Sequence, residues 1–161
     1  MTSNTAMPQI EIVDFPETKV AVLEHKGDPK TIGDSVRKFI DWRKQNGLSP
    51  RVSDTYNIFY NNPFEVAPDD YRLDICVSVQ QEVCKSDIGI VEKTIPSGRC
   101  AKLRHIGSDE KLGLFLHYLY SEWLPGSSEE LRDFPLYLQR VKFFPDVAEN
   151  EAITDVFLPI K

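Results

Sequence analysis

The spacing of apolar positions changes period in a fixed order along this chain, and the whole order occurs twice. A short apolar strand, K-V-A-V-L-E-H from Lys19, ends in an H-x-G exit at His25 to Gly27. Asp28 then supplies a helix N-cap and Pro29 occupies the first helical position, where its missing N–H costs little. Ile32, Val36, Phe39 and Ile40 recur at helical spacing, and Gly47 provides the stop. Two strand signals follow, Y-N-I-F-Y (Tyr56 to Tyr60) and R-L-D-I-C-V-S-V (Arg72 to Val79).

The second passage begins 80 residues later. Pro16 aligns with Pro96, His25 with His105, Gly27 with Gly107 and Asp28 with Ser108, without a gap. Leu112, Phe115, Leu116, Leu119 and Trp123 form the second helical stripe, which Pro125 and Gly126 are expected to end. P-L-Y-L-Q-R-V (Pro135 to Val141) and T-D-V-F-L-P-I (Thr154 to Ile160) are the closing strands, and Asp74-Ile75 aligns with Asp155-Val156 after a slip of one residue. The expected fold is α+β: two β-α-β-β units related by a pseudo-twofold, an antiparallel sheet with helices on one side, and a central ligand groove where the copies meet. Repeat one covers about 10–80 and repeat two about 87–161 of a single domain at 10–161, after a disordered lead at 1–9.

Composition narrows the function. The 161 residues are 41% hydrophobic and 27% charged, which excludes disordered and collagen-like classes and suits one domain. No apolar run reaches the roughly 18 residues of a membrane helix, and the first ten lack a signal-peptide pattern, so the expected location is the cytoplasm. Nineteen basic residues against 25 acidic ones give a net charge of −6, without the basic stripe of a DNA reader, so neither nucleic acid nor membrane is an expected direct partner.

The chemistry-bearing residues are few. Cys76, Cys84 and Cys100 form neither a disulfide framework nor a zinc site. His25 and His105 recur by duplication, and a strand-end ring bonding nearby backbone explains them better than a metal does. No nucleophile elbow, phosphate loop or H-E-x-x-H is present, so no catalytic residue, metal or cofactor is assigned. Glu122, beside Trp123, reads either as a partly desolvated acid or as a solvated helix-end residue. Phe59, Tyr60 and Phe64 at one strand end, with Tyr118, Tyr120, Trp123 and Tyr137, fit either the core or the walls around a flat organic ligand.

The order I-x-x-x-P-x-x-x-V-A-x-x-x-H-x-G, F-Y-N-N-P, I-P-S-G, H-I-G and E-W-L-P-G-S, running from about Ile10 to Ile160, resembles the GyrI-like small-molecule-binding domains. These are effector domains of AraC-type and multidrug-sensing regulators, together with DNA-gyrase-inhibitor-like proteins. The resemblance implies a groove on the pseudo-twofold for hydrophobic, often cationic compounds, with aromatic walls and a buried glutamate. Carried over by position, Phe59, Tyr60, Glu122, Trp123, Tyr137 and Leu138 are the ligand-binding residues. Leu138 stands where the family's cation-recognising Glu is expected and Arg140 where its Tyr is, which argues against tight binding of cations and against the hydrolase members. The implied function is a stand-alone module that binds a hydrophobic or aromatic molecule in drug sensing, sequestration or transcription regulation, with a separate DNA-binding partner. The alternatives are a gyrase-inhibitor-like protein that meets gyrase or a regulator, and a small-molecule hydrolase.

Overall fold

The computed structural model describes residues 9–61, 66–81, 88–143 and 146–161. The expected lead, except Gln9, and Asn62, Pro63, Phe64 and Cys84 lie outside the described residues. The first unit holds β1 (Ile10–Phe15), β2 (Thr18–Lys26), α1 (Ile32–Gln45), β3 (Thr55–Phe59) and β4 (Arg72–Ser78). The second holds β5 (Val91–Ile95), β6 (Gly98–Ile106), α2 (Leu112–Tyr118) with its continuation, β7 (Tyr137–Lys142) and β8 (Ile153–Pro159). Each unit therefore carries one strand more than the repeat of H-x-G blocks indicates. Both extra strands precede the aligned blocks, and their apolar alternation is short and half-exposed.

All pairings in the eight-stranded sheet are antiparallel, in the order β1-β6-β8-β7-β3-β4-β2-β5. Read from either end, the order meets equivalent strands of opposite units. The midline is β3 against β7, where Asn57 pairs with Leu138, its own counterpart in the second repeat. That pair marks the pseudo-twofold. Only Pro16 and Glu17 separate β1 from β2, yet β1 pairs with β6 of the other unit. Pro96 and Ser97 make the same corner between β5, which pairs with β2, and β6. Two residues span less than about 10 Å. The two ends of the sheet must therefore approach each other, and the sheet curls into a half-barrel.

The curl creates two apolar faces. Inside it Phe15 lies edge-on to Tyr56, Tyr137 and Phe157 at centroid distances of 6.1, 5.1 and 5.1 Å, while Tyr137 stacks on Phe157 at 5.2 Å. On the outer face α1 buries Phe39 and Trp42 over Leu23, Leu73 and Ile75. α2 buries Leu112, Phe115 and Leu119 over Leu103, Leu136, Leu138 and Val156. Both helices lie on this one side. No described helix is long and apolar enough to cross a membrane.

The H-x-G exits latch each helix to its strand. His25 Nε2 lies 3.2 Å from the Asp28 carbonyl and His105 Nε2 2.7 Å from that of Ser108. A carbonyl only accepts, so each Nε2 carries the proton, and Nδ1 of a neutral His25 accepts from Ser35 Oγ at 2.8 Å. Gly27 and Gly107 have φ of 114° and 126°, which side chains rarely adopt. Their amides donate to Tyr71 and Ala152 at 2.9 and 2.8 Å, tying each exit to the entry of the unit's last strand.

The second helix departs from expectation. It runs past Pro125 through Leu124–Ser127 and stops at Ser128, whose φ is 65°. Pro125 has no N–H for the carbonyl four residues back and its ring crowds that carbonyl. The preceding turn, Leu119–Trp123, widens to a π-helix that accommodates the ring.

Ionic clusters bind the units, Glu11 with Lys102, Asp155 and Arg104 at one end of the sheet and a tighter one at the other. Lys93 of β5 donates to Asp74 and Glu24 at 2.8 Å each and to Tyr60 Oη at 3.3 Å, and Tyr60 donates to Asp74 at 2.5 Å. Burial, then the bond to Asp74, pushes the Tyr60 phenol up to about 12. Burial opposes the Lys93 charge, but its hydrogen bonds to Asp74 and Glu24 outweigh this and raise its pKa. The hydrogen bond from Lys93 lowers the Glu24 carboxyl below its ordinary 4.5.

Two stability outcomes follow from this packing. Tyr137 is fully buried, so Tyr137→Ala should cost about 3–5 kcal/mol in urea unfolding; a loss under about 1.5 kcal/mol would mean that the inner cluster is not packed as described. A carboxyl with a lowered folded pKa stabilises above its unfolded value and stops doing so as pH falls through the folded one. The wild-type advantage over Glu24→Gln should accordingly be present at pH 6 and vanish as pH drops below Glu24's ordinary 4.5. An advantage independent of pH would remove the charge from the account.

Candidate functional site

The helices do not meet over the midline. Between α1 and α2 the outer face carries a groove with two lobes, of about 970 and 570 Å³. The lobes join at Val36, Asn57, Ile75, Asp109 and Arg140, so the groove lies over the pseudo-twofold. Its size falls in the range of small-molecule sites.

The walls follow from helical spacing. On α1, Ile32 and Val36 face the larger lobe, while Phe39, Ile40 and Arg43 continue the stripe along the smaller one. Across from them Leu112, Gly113, Leu116, His117 and Tyr120 form the second wall, positions three and four apart on one face. β3 sends Thr55, Asn57 and Phe59 to the floor as alternate residues, and Leu136, just before β7, and Arg140 on it join them. Phe59 packs against the outer clusters of both units and closes the floor between them.

Polar groups on the floor are few and specific. Arg140 donates through Nε to Asn57 Oδ1 at 3.0 Å, and through Nη1 to Asp109 Oδ1 at 2.7 Å and Thr154 Oγ1 at 3.4 Å. These bonds draw together a floor residue of each unit and the turn that opens α2. Arg43, 6% exposed, donates to Thr55 Oγ1 and to the Leu48 and Ser53 carbonyls at 2.8, 2.8 and 3.4 Å, and burial lowers its pKa. No group of three or more His, Cys, Asp or Glu able to hold a metal occurs among the described residues.

The structure places the residues singled out by sequence in different environments. Phe59 and Tyr60 line the larger lobe, Tyr60 with its ring reaching back to Asp74. Glu122 is exposed on the π-turn and Trp123 packs half-buried against the outer cluster of the second unit. Tyr137 lies inside the curl, on the other face of the sheet, within reach of Cys100 Sγ at 3.4 Å. Leu138 sits on the axis beside Asn57, but α2 covers it completely. Neither Glu122, Trp123, Tyr137 nor Leu138 lines the groove.

The ligand-binding residues assigned from sequence omit Asn57, Asp109 and Arg140, whose polar groups meet where the two lobes join. A usable signal existed for one of them. Leu136, Leu138 and Arg140 alternate on one face, so the strand pattern places a guanidinium where apolar residues belong.

Comparison with known proteins agrees with this geometry. The chain is 34% identical to the probable transcriptional regulator YgiV of Escherichia coli K12 over 152 residues, covering 94% of this chain and 95% of that one. Its fold matches the crystal structure of the EcmrR C-terminal domain with a TM-score of 0.78 at 14% identity, covering 96% and 98% of the two chains. It spans 58% of the EcmrR chain in the DNA complex of that protein, at a TM-score of 0.75. A third structure, SAV2435 bound to tetraphenylphosphonium, gives a TM-score of 0.58 at 10% identity, with 95% and 94% covered. The GyrI-like small-molecule-binding domain matches residues 8–161, and the chain belongs to that family.

Proposed function

We propose that this protein binds a hydrophobic, aromatic small molecule in the groove between α1 and α2, and that occupancy serves transcription regulation through a separate DNA-binding partner. The observation that carries the reading is the groove itself: an apolar cleft of about 970 Å³ on the pseudo-twofold, with only a few polar groups on its floor. Aromatic area comes from Phe59, Tyr60, Tyr71 and Tyr120, and aliphatic area from Ile32, Val36, Leu112 and Leu116. Membership in the family and the regulator named among its relatives support the regulatory use.

Neutral compounds suit the groove better than cations. A cation entering it loses water and needs a buried counter-charge. The acids along the groove, Asp109, Glu110 and Glu149, are all exposed, whereas Arg43 is buried and Arg140 largely so. Glu122, exposed and away from the lining, does not supply the missing carboxylate.

Fluorescence titration with neutral N-phenyl-1-naphthylamine tests the reading. At about 100 times its dissociation constant the dye should stabilise the protein by roughly 2.7 kcal/mol, a melting shift of several degrees. Gly113 offers a clean block, because a Cβ there meets nothing within 4 Å and the position lies on the groove face of α2. Gly113→Trp should weaken the dye about tenfold or more without lowering the melting temperature, since replacing a helical glycine is itself favourable. Unchanged binding in Gly113→Trp, or no binding to the wild type, would move the ligand out of this groove.

A further inference from the structure

Among the described residues Arg140 is the charged side chain that reaches the middle of the groove from its floor, and the groups around it differ in how firmly they hold it. Asn57 and Thr154 anchor it from the sheet, at 3.0 and 3.4 Å. Asp109 approaches from the rim at 2.7 Å, and its side chain is 60% exposed against 22% for Arg140. Such a pair is weak, because the acid keeps much of its water whether or not it touches the guanidinium. Among the described residues nothing accepts from Arg140 Nη2. Among the described residues the guanidinium therefore has both N–H groups of Nη2 without an acceptor, one N–H of Nη1 engaged with a replaceable carboxylate, and a fixed orientation on the floor.

We propose that Arg140 is the specificity-determining residue of the groove and that it selects aromatic organic acids: the ring system occupies the larger lobe and its carboxylate or sulfonate replaces Asp109 on the guanidinium. This deepens the reading that a small aromatic molecule binds between α1 and α2, and rests on it. The exchange is of one oxyanion for another, so Arg140 keeps a counter-charge while Asp109 returns to water. A guanidinium fork matches a pair of oxygens on a carboxylate or sulfonate in a way that a point charge does not. The apolar part of the ligand has Val36 and Ile75 immediately beside Arg140, and Phe59 and Leu116 farther along the lobe. A neutral ligand uses the same walls but leaves the Arg140–Asp109 pair in place. A cation meets Arg140 with no buried carboxylate to offset it.

Two dyes with one scaffold separate the inference from the reading beneath it: 8-anilinonaphthalene-1-sulfonate, an anion, and N-phenyl-1-naphthylamine, the same rings without the sulfonate. Arg140→Met should weaken the anionic dye by about tenfold or more, leaving the neutral dye within about twofold. Arg140→Lys should recover part of that loss, because it keeps the charge and lacks the fork. Asp109→Asn should tighten the anionic dye several-fold and leave the neutral dye unchanged, because the competing carboxylate is gone. Loosening of the fold would raise the fluorescence of the anionic dye, opposite to the change expected for Arg140→Met. The proposal is overturned if Arg140→Met weakens both dyes alike or neither, or if Asp109→Asn leaves the anionic dye no tighter. If the neutral dye binds and these differences are missing, the anion inference falls and the groove reading stands. If neither dye binds the wild type, both fall.

Discussion

The corner residues Pro16-Glu17 and Pro96-Ser97 constrain everything else in this molecule. Each joins two strands that lie in sequence but pair with opposite units. A two-residue link cannot cross a flat sheet of eight strands, so the sheet has to curl until its ends are adjacent. Proline suits the corner because it has no N–H to leave unpaired where the ladder breaks. The exchange also interlocks the units: β1 completes the second and β5 the first. Neither half has a full set of pairing partners alone, so the fold should be a single cooperative unit, with the pseudo-twofold built in by the chain's own continuity.

The curl assigns the two faces their work. The inner face fills with rings, Phe15, Tyr56, Tyr137 and Phe157, which pack edge-on and stacked. On the outer, convex face each helix covers its own unit, and divergence across a convex surface leaves a gap between them. The groove is what remains uncovered when two equal units share one curved sheet. Its floor is therefore the central strand pair, and any residue on the outward alternation of β3 and β7 becomes a candidate for ligand contact.

Much of this could be read from the chain, and the limits have physical causes. The duplicated H-x-G blocks, the N-cap at Asp28 and the order of strands and helices are local signals set by a few residues each. Asp28 does accept from the Lys30 amide at 2.9 Å, as its place before Pro29 indicates. β1 and β5 were harder to see because edge strands bury little and alternate weakly. Side-chain destination was harder still. Tyr137 and Leu138 are neighbours on one strand, so one must enter the inner cluster when the other lies under α2. Which of the two faces the ligand, or whether either does, depends on how far α2 reaches over β7, and no local pattern encodes that. Glu122 shows the same limit: the widened turn forced by Pro125 sets its direction, and spacing based on an unbroken helix cannot supply it.

Symmetry in the backbone and asymmetry in the side chains divide structure from function here. The repeat preserves what the fold needs, His25 with His105, Gly27 with Gly107, Tyr56 with Tyr137, Asp74 with Asp155. It diverges on the groove floor, where Asn57 faces Leu138 across the axis and Phe59 corresponds to Arg140. The two equivalent positions flanking the axis thus hold an aromatic ring and a guanidinium, one apolar and one charged. A symmetric floor would present the same chemistry to both ends of a ligand. This one presents a ring toward the larger lobe and a donor fork near the midline, so an asymmetric ligand would have a defined direction along the groove. The Arg140 contacts to Asn57 of β3 and Asp109 before α2 then couple that direction to both units.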